Sequence, residues 1–212
     1  KGLITNGNLS FDQTHGPHQI ILLNSQPNQN VTLDLDMNGT GDLGAGYNGQ
    51  GTLSIAEGVT VTSASGYLGY SAGSTGTATV TGANSTWTNN SSLYVGELGT
   101  GTLNITAEGK VSSQTGYIGN NIGSTGTATV TGTNSTWTNS SSLLIGYSGS
   151  GTLNINEGGK VTSQTGYIGI GSGSTSTVTV NGSGSQWIAD TLNVGYTRSG
   201  TLNITDGGVV TS

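Results

Sequence analysis

Cysteine is absent from this sequence, and basic residues are scarce, since Lys and Arg together number four among 212 residues. The absence of cysteine excludes disulfides and suits a chain that is exported through an oxidising compartment. With a net charge of −6, the chain offers no basic patch for phosphate groups, so we expect no nucleic-acid partner. It also lacks a run of about 20 apolar residues, which predicts no direct membrane insertion.

Charged residues of either sign make up only 7% of the sequence, against about 25% in an ordinary globular domain. Glycine supplies 39 positions, and Ser, Thr and Asn fill many of the others. These residues are poor helix formers and common in turns. Both prolines, Pro17 and Pro27, lie near the N-terminus, outside the regular part of the sequence. The composition therefore favours an all-β structure over a helical one.

The same pattern returns every 50 residues. Gly51-Thr52-Leu53 recurs from Gly101, from Gly151 and, one residue early, from Gly200. The tryptophans and one set of tyrosines keep the same spacing, at Trp87, Trp137, Trp187, Tyr67, Tyr117 and Tyr167. A fixed period of this length is typical of a stacked repeat array. Because a catalytic site is normally built once, the repetition also disfavours an enzyme.

Each repeat divides into two halves of about 25 residues, as the match of Leu103-Asn104-Ile105 to Ala128-Thr129-Val130 shows. Each half contains three short segments in which apolar and polar residues alternate, separated by Gly, Asn and Ser turns. Such a half predicts one coil of a parallel β-helix, with coils about 4.8 Å apart. The crossover preference adds a right-handed winding. The predicted fold class is thus an all-β, right-handed parallel β-helix, or solenoid.

The sequence also predicts how the chain is organised. Residues 1–30 hold both prolines, both histidines and the only Phe, and we expect them to form a cap over the open end of the array, with a strand at 19–23. Residues 31–212 are expected to form the coils, with double-coil repeats at 51–100, 101–150 and 151–199. The pattern stops partway through a fourth repeat, so we expect a piece of a longer protein.

Alternation along each strand predicts which side chains face inward. On the first strand, Leu53 and Ile55 point into the coil. On the second strand the inward column reads Val61, Trp87, Val111, Trp137, Val161, Trp187 and Val210, and we expect the Trp rings at the edge of the core. On the third strand it reads Leu68, Val95, Ile118, Ile145, Ile168 and Val194. A glycine follows each third strand, at a corner where positive φ or close backbone approach would require it.

Two outward columns are candidate binding surfaces. Tyrosine rings on the third strand could bind sugar faces or another molecule, or could simply shield their own sheet; they are Tyr67, Tyr94, Tyr117 and Tyr167. Thr and Asn side chains on the first strand could stabilise the stack as ladders or associate with a second rod; they are Thr77, Thr79, Asn104, Thr127, Thr129, Asn154 and Asn203. A regular hydroxyl array also admits ice binding, which the alternation of Thr with Asn and Ser disfavours.

Chemistry-bearing residues give little support to catalysis. Acidic residues recur before a glycine turn, at Glu57, Glu108, Glu157 and Asp206, but a glycosidase needs paired carboxylates. His15 and His18 lack the Cys or clustered carboxylates of a metal site, so a loop is the better interpretation. We therefore predict no catalytic residues, no metal and no cofactor.

The repeat resembles one found in known proteins. It runs from Gly66-Tyr67-Leu68-Gly69 through Ser85-Thr86-Trp87 to Leu93-Tyr94-Val95-Gly96, and recurs at 116–146 and 166–195. It is similar to the repeat shared by type V secretion (autotransporter) passengers and certain exosortase-sorted, PEP-CTERM proteins. The resemblance implies a β-helical rod displayed outside the bacterial outer membrane, in a family with many adhesins and self-associating factors.

The expected function is therefore that of a non-catalytic surface adhesin that mediates aggregation, biofilm formation or host attachment. Its partner would be a like passenger on a neighbouring cell, or a host glycan or matrix protein. Two alternatives stay open: a passive stalk that displays a domain lying elsewhere, and a polysaccharide-acting enzyme, which would need convergent acids and bases in one groove.

Overall fold

The computed structural model describes residues 41–171 and 175–212, together with the backbone of the strands Leu3–Thr5, Asn8–Phe11 and Leu22–Leu23. The described part contains strands and turns and no helix. Nearly all strand pairs are parallel and join segments about 25 residues apart, so the predicted all-β solenoid of stacked coils is confirmed. Seven coils carry a strand of the first ladder.

The first ladder forms one continuous sheet along the rod. Its strands are Gln50–Ile55, Thr75–Thr81, Thr100–Thr106, Thr125–Thr131, Ser150–Asn156, Ser176–Asn181 and Gly200–Thr205. Asn8–Phe11 extends this sheet in parallel beyond Gln50–Ile55, followed by Leu3–Thr5 in antiparallel and Leu22–Leu23 in parallel. The rest of the predicted cap, including His15 and His18, lies outside the described residues.

The second and third ladders form the remaining walls. The second comprises Thr60–Ser63, Thr86–Asn89, Lys110–Ser113, Thr136–Asn139 and Val209–Thr211. The third comprises Leu43–Ala45, Gly66–Leu68, Ser92–Val95, Thr115–Ile118 and Ser142–Ile145. Two long strands, Lys160–Ile168 and Gln186–Val194, belong to both ladders and join them into a single sheet.

This merging departs from the prediction of three separate strands in every coil, and the local chain length explains it. From Trp87 to Leu93 the chain takes six steps, as it does from Trp137, but from Trp187 to Leu192 it takes five. The shorter corner matches that of Lys160–Ile168, so the two segments pair along their whole length. The same missing residue is why Gly200 returns one residue early.

The core is the inside of the coils, and the predicted inward columns are buried there. Leu53, Ile55 and the third-strand residues from Leu68 to Ile168 are at most 2% exposed. Val194 and Ile204 are 46% and 50% exposed, because no described coil packs over the last one. The alternation of β-branched and apolar residues with Thr and Asn suits a sheet that is buried on one side only.

The tryptophans correct one expectation, since they lie fully inside the core and not at its edge. Trp87, Trp137 and Trp187 are all 0% exposed. A glycine in the neighbouring coil makes the room: a Cβ on Gly116 would lie only 2.8 Å from Cζ2 of Trp137 and 2.6 Å from Oδ1 of Asn139. Each indole Nε1 donates to a buried serine, as Trp87 does to Oγ of Ser63 at 3.1 Å. With its polar group satisfied, the whole ring can be buried.

Candidate functional site

The outward side of the first ladder is an uncharged array of hydroxyl and amide groups, which we call the hydroxyl face. Its outward residues in the described strands from Gln50 to Thr205 are Gln, Thr, Ser and Asn, with no charged side chain among them. The register places Thr77, Thr102 and Thr127 directly above one another. The array is thus periodic in two directions, at about 4.8 Å between coils and about 6.6 Å along each strand.

All seven predicted residues of the Thr/Asn column lie on the hydroxyl face. Six of them are half-buried and Asn203 is exposed. Within 41–171 and 175–212, none of these seven side chains makes a hydrogen bond. Along one edge of this face, Thr106 donates to Oγ1 of Thr81 at 3.0 Å, Thr131 to Oε2 of Glu157 at 3.1 Å and Thr205 to Oδ1 of Asn181 at 2.7 Å. The seven side chains therefore remain available to water or an external partner.

The predicted tyrosine column forms a stack along the third ladder. Tyr67, Tyr94 and Tyr117 pair in register, with ring centroids 5.0 and 4.8 Å apart and nearly parallel planes. Leu144 interrupts the stack, and Tyr167 follows in the next coil. Stacking covers the faces of the middle rings, so these rings offer mainly their edges and hydroxyl groups to the exterior.

Sequence reasoning missed a second set of tyrosines, which follow the corner glycines and extend the array. They are Tyr47, Tyr70, Tyr147 and Tyr196. Tyr147 meets Tyr117 edge-on at 5.9 Å, and Tyr196 meets Tyr167 at 5.2 Å. The signal was present, because each directly follows a corner glycine, as in Gly46-Tyr47 and Gly146-Tyr147.

Burial perturbs several ionisable groups beside this array. Burial raises the pKa of Tyr117, and its neighbours Tyr94, Tyr147 and Glu97 raise it further. Burial also raises the pKa of Glu97, whereas hydrogen bonds from Asn120 at 2.8 Å and Asn121 at 3.1 Å act to lower it. These shifts reflect the packing of one outer wall, and the groups do not converge on a common cavity.

The recurring acidic residues occupy turns, as expected, but not equivalent positions. Glu57, Glu157 and Asp206 each take the first of two left-handed residues, with φ of 57°, 52° and 50°, and a glycine takes the second. Glu108 takes the second position, with φ of 71°, behind Ala107. The described residues contain no group of three His, Asp or Glu side chains that could hold a metal ion.

The corner glycines behave as predicted. All six have positive φ: Gly69, Gly96, Gly119, Gly146, Gly169 and Gly195. A Cβ on Gly169 would lie 2.7 Å from the carbonyl oxygen of Ser199, so a side chain there would also collide with the next coil. These corners fix where the third strand ends and where the second tyrosine set begins.

Comparison with known proteins finds no matching family model, no matching curated protein and no matching solved structure. The resemblance to autotransporter passengers stays a prediction. In the described part of the chain, no helix has the length and apolar character needed to cross a membrane.

Proposed function

We propose that this chain is a non-catalytic adhesive rod, part of an autotransporter passenger on the bacterial cell surface, and that it self-associates through the hydroxyl face. The observation that carries this proposal is that the seven predicted Thr and Asn side chains lie on an uncharged, periodic sheet and make no hydrogen bond within the described part of the rod. A like rod presents the same spacing, so the two faces can match over their whole length.

The size of the face supports a specific contact. Seven strands at about 4.8 Å, each about 20 Å long, give roughly 600 Å² on one rod and about 1,200 Å² in a pair. That is the lower limit of a standard protein interface. Each intermolecular hydrogen bond contributes about 0.5–1.5 kcal/mol, so the affinity must come from many weak contacts made together.

A contact between two single rods would be weak, which suits adhesion between surfaces that carry many rods.

The recurring carboxylates are separated by about two coils, or nearly 10 Å, and each sits in its own turn. This arrangement supports the non-catalytic part of the proposal, since glycoside hydrolysis needs two carboxylates across one bond.

Charged substitutions on the hydroxyl face test the proposal. Thr79→Lys with Thr129→Lys places two long cations at the centre of the face, two coils apart. Thr88→Lys with Thr138→Lys makes the same change at the same spacing on the second ladder, so it is a matched control. Sedimentation velocity and aggregation of cells that display each variant are the measurements.

We expect the parent chain and the Thr88/Thr138 control to associate with rising concentration, and the Thr79/Thr129 variant to stay monomeric. A parent chain that stays monomeric, or two double variants that behave alike, would contradict the proposal. In that case a monomer that binds matrix proteins or glycans, and loses binding on Tyr67, Tyr117 and Tyr167 to Ser changes, would favour host attachment. A monomer that binds nothing would favour a passive stalk.

A further inference from the structure

The tyrosine stack ends at a cavity in the first described coil. Gly44 pairs in register with Tyr67, so the column supplies no ring beneath Tyr67 on the side away from Tyr94. A cavity of about 160 Å³ lies there, lined by Asp42, the strand Leu43–Ala45, Tyr47, Tyr67 and Tyr70. A cavity of about 150 Å³ holds one benzene ring, so this one accommodates a single compact group.

Three aromatic rings wall this cavity in two orientations. Tyr47 stacks on Tyr70 with centroids 4.8 Å apart and planes inclined by 16°. Tyr70 stands nearly perpendicular to Tyr67, at 5.3 Å and 82°. One face of each ring is covered, because Tyr47 and Tyr70 stack on each other and Tyr94 stacks on Tyr67. The uncovered ring faces can attract a cation, as the rings of aromatic cages do for methylated ammonium groups.

An exposed carboxylate stands at the rim of the cavity. Asp42 accepts a hydrogen bond at its Oδ1 from the backbone N–H of Ser65, at 3.0 Å. It has no ion-pair partner among the described residues, whose basic side chains are Lys110, Lys160 and Arg198. Burial raises the pKa of Tyr67 and the nearby negative charge of Asp42 raises it further. The cavity is thus largely apolar, carries a negative charge at its rim and has no basic side chain among the described residues that line it.

We infer that this cavity binds a small organic cation with a quaternary or N-methylated ammonium group. Rings and carboxylate both favour positive charge, and N-methyl groups suit the apolar walls better than a strongly hydrated ion. Aromatic faces and a carboxylate would also suit a sugar, but the negative charge of Asp42, which pairs with no described basic side chain, favours a cation over a neutral ring. The site goes beyond the proposed function, because a head group could bind whether or not the rods associate.

Titration with choline, followed by NMR of the ¹⁵N-labelled chain, tests the inference. The matched ligand is the neutral carbon isostere of choline, in which a tert-butyl group replaces the trimethylammonium group. Methyl glucoside represents the sugar class, and sodium chloride at equal ionic strength controls for screening. We expect choline to shift the amide signals around residues 42–47 and 65–70 and to bind about tenfold more tightly than the isostere.

Two substitutions locate the site. Asp42→Asn keeps an oxygen for the Ser65 N–H but removes the charge, and we expect it to weaken choline binding about fivefold or more without changing affinity for the isostere. Tyr67→Leu should weaken both ligands. Tyr167→Leu alters the same column away from the cavity and should change neither.

The inference fails if choline causes no shifts beyond those of sodium chloride, if the isostere binds equally well, or if methyl glucoside binds more tightly. It also fails if Asp42→Asn binds choline as the parent does. None of these results depends on rod association, which sedimentation measures separately, so this inference and the proposed function can fail independently.

Discussion

Glu108 holds a backbone conformation that glycine adopts in the equivalent turns of three other coils. Its φ is 71°, where Gly58, Gly158 and Gly207 have 78°, 86° and 85°. The left-handed conformation costs a residue with a Cβ about 1–2 kcal/mol. The turn nevertheless keeps its shape, since the Glu108 N–H donates to the buried Oγ of Ser135 at 3.0 Å.

We therefore predict that Glu108→Gly raises the free energy of unfolding by about 1 kcal/mol, after allowance for the greater freedom of glycine in the unfolded chain. Urea denaturation followed by tryptophan fluorescence measures the change. Glu108→Ala is the matched control: it removes the same charge but keeps the Cβ, and should alter stability by less than about 0.5 kcal/mol. Equal stabilisation by both variants would mean that the carboxylate, and not the backbone, causes the effect.

For individual residues, the sequence predicted where a side chain lies along the rod better than how deeply it is buried or what it contacts. The 50-residue spacing placed the tryptophans correctly in one column, alternating with valines, but the prediction that their rings lie at the edge of the core was wrong. Their full burial depends on partners in other coils, such as Gly116 beneath Trp137, and on an internal serine for each Nε1. The sequence likewise did not predict that Glu108 takes the second position of its turn, whereas Glu57 and Glu157 take the first. The spacing of the three acidic residues differs by only one residue, so they looked equivalent.

Among the elements, the second ladder carries a buried polar network that repeats with one difference. Trp137 donates from Nε1 to Oγ of Ser113 at 3.4 Å, and Ser113 donates to Oδ1 of Asn139 at 2.8 Å. One repeat later Trp187 donates to Oγ of Ser163 at 3.3 Å, but Ala189 stands where Asn139 would be. Ser113 therefore hydrogen-bonds to two buried side chains, and Ser163 to one.

Removing each hydroxyl should separate these roles. Ser113→Ala leaves two buried polar groups without a partner and should lower the free energy of unfolding by about 2–4 kcal/mol. Ser163→Ala leaves one such group and should lower it by about 1–2 kcal/mol. Chemical denaturation measures both, with the outward Ser112→Ala as a control expected to change stability by less than about 0.5 kcal/mol. Equal costs for the two buried serines would show that Asn139 adds nothing to the network.

The elements themselves were largely predictable because period-2 patterning fixes both the strand and its inward face. The merging of two ladders at Lys160–Ile168 and Gln186–Val194 was not predicted, although the shortened corner before Leu192 could have signalled it. Pairing across a corner depends on whether neighbouring coils have corners of equal length. Equality of corner length is a property of two neighbouring coils together, so the residue pattern of a single coil does not reveal it.

For the whole molecule, the sequence predicted two outward columns but not the contacts that each makes within the rod. That the seven Thr and Asn side chains of the hydroxyl face make no hydrogen bond there is a property of the folded rod, which a pattern of residues cannot reveal. The structure adds a second set of tyrosine rings at the corners of the coils. In the predicted column, neighbouring rings stack face to face, so the faces of the middle rings are covered. At Gly44, where the column steps to a residue without a side chain, the array borders the cavity lined by Tyr47, Tyr67 and Tyr70.

The net charge of the rod affects how strongly whole rods associate. The chain carries −6, while the hydroxyl face carries no charge in its described residues. Two rods that meet through this face therefore repel at long range and attract only on contact. Because salt shortens the screening length to about 10 Å at 0.1 M, association should strengthen as sodium chloride rises from about 20 to about 150 mM.

Replacing Glu57, Glu108 and Glu157 with Gln removes three of the ten acidic side chains and keeps every residue of the hydroxyl face. Glu157 accepts a hydrogen bond from Thr131 at the edge of this face, at 3.1 Å, and Gln retains an oxygen for that bond. This variant should associate more strongly than the parent at low salt and respond less to added salt, as measured by sedimentation equilibrium. The three residues lie at turns two coils apart, so the change reduces repulsion along the rod and not at one point. Association that weakens with salt would instead mean that ion pairs hold the rods together, and the hydroxyl face could not then be the contact.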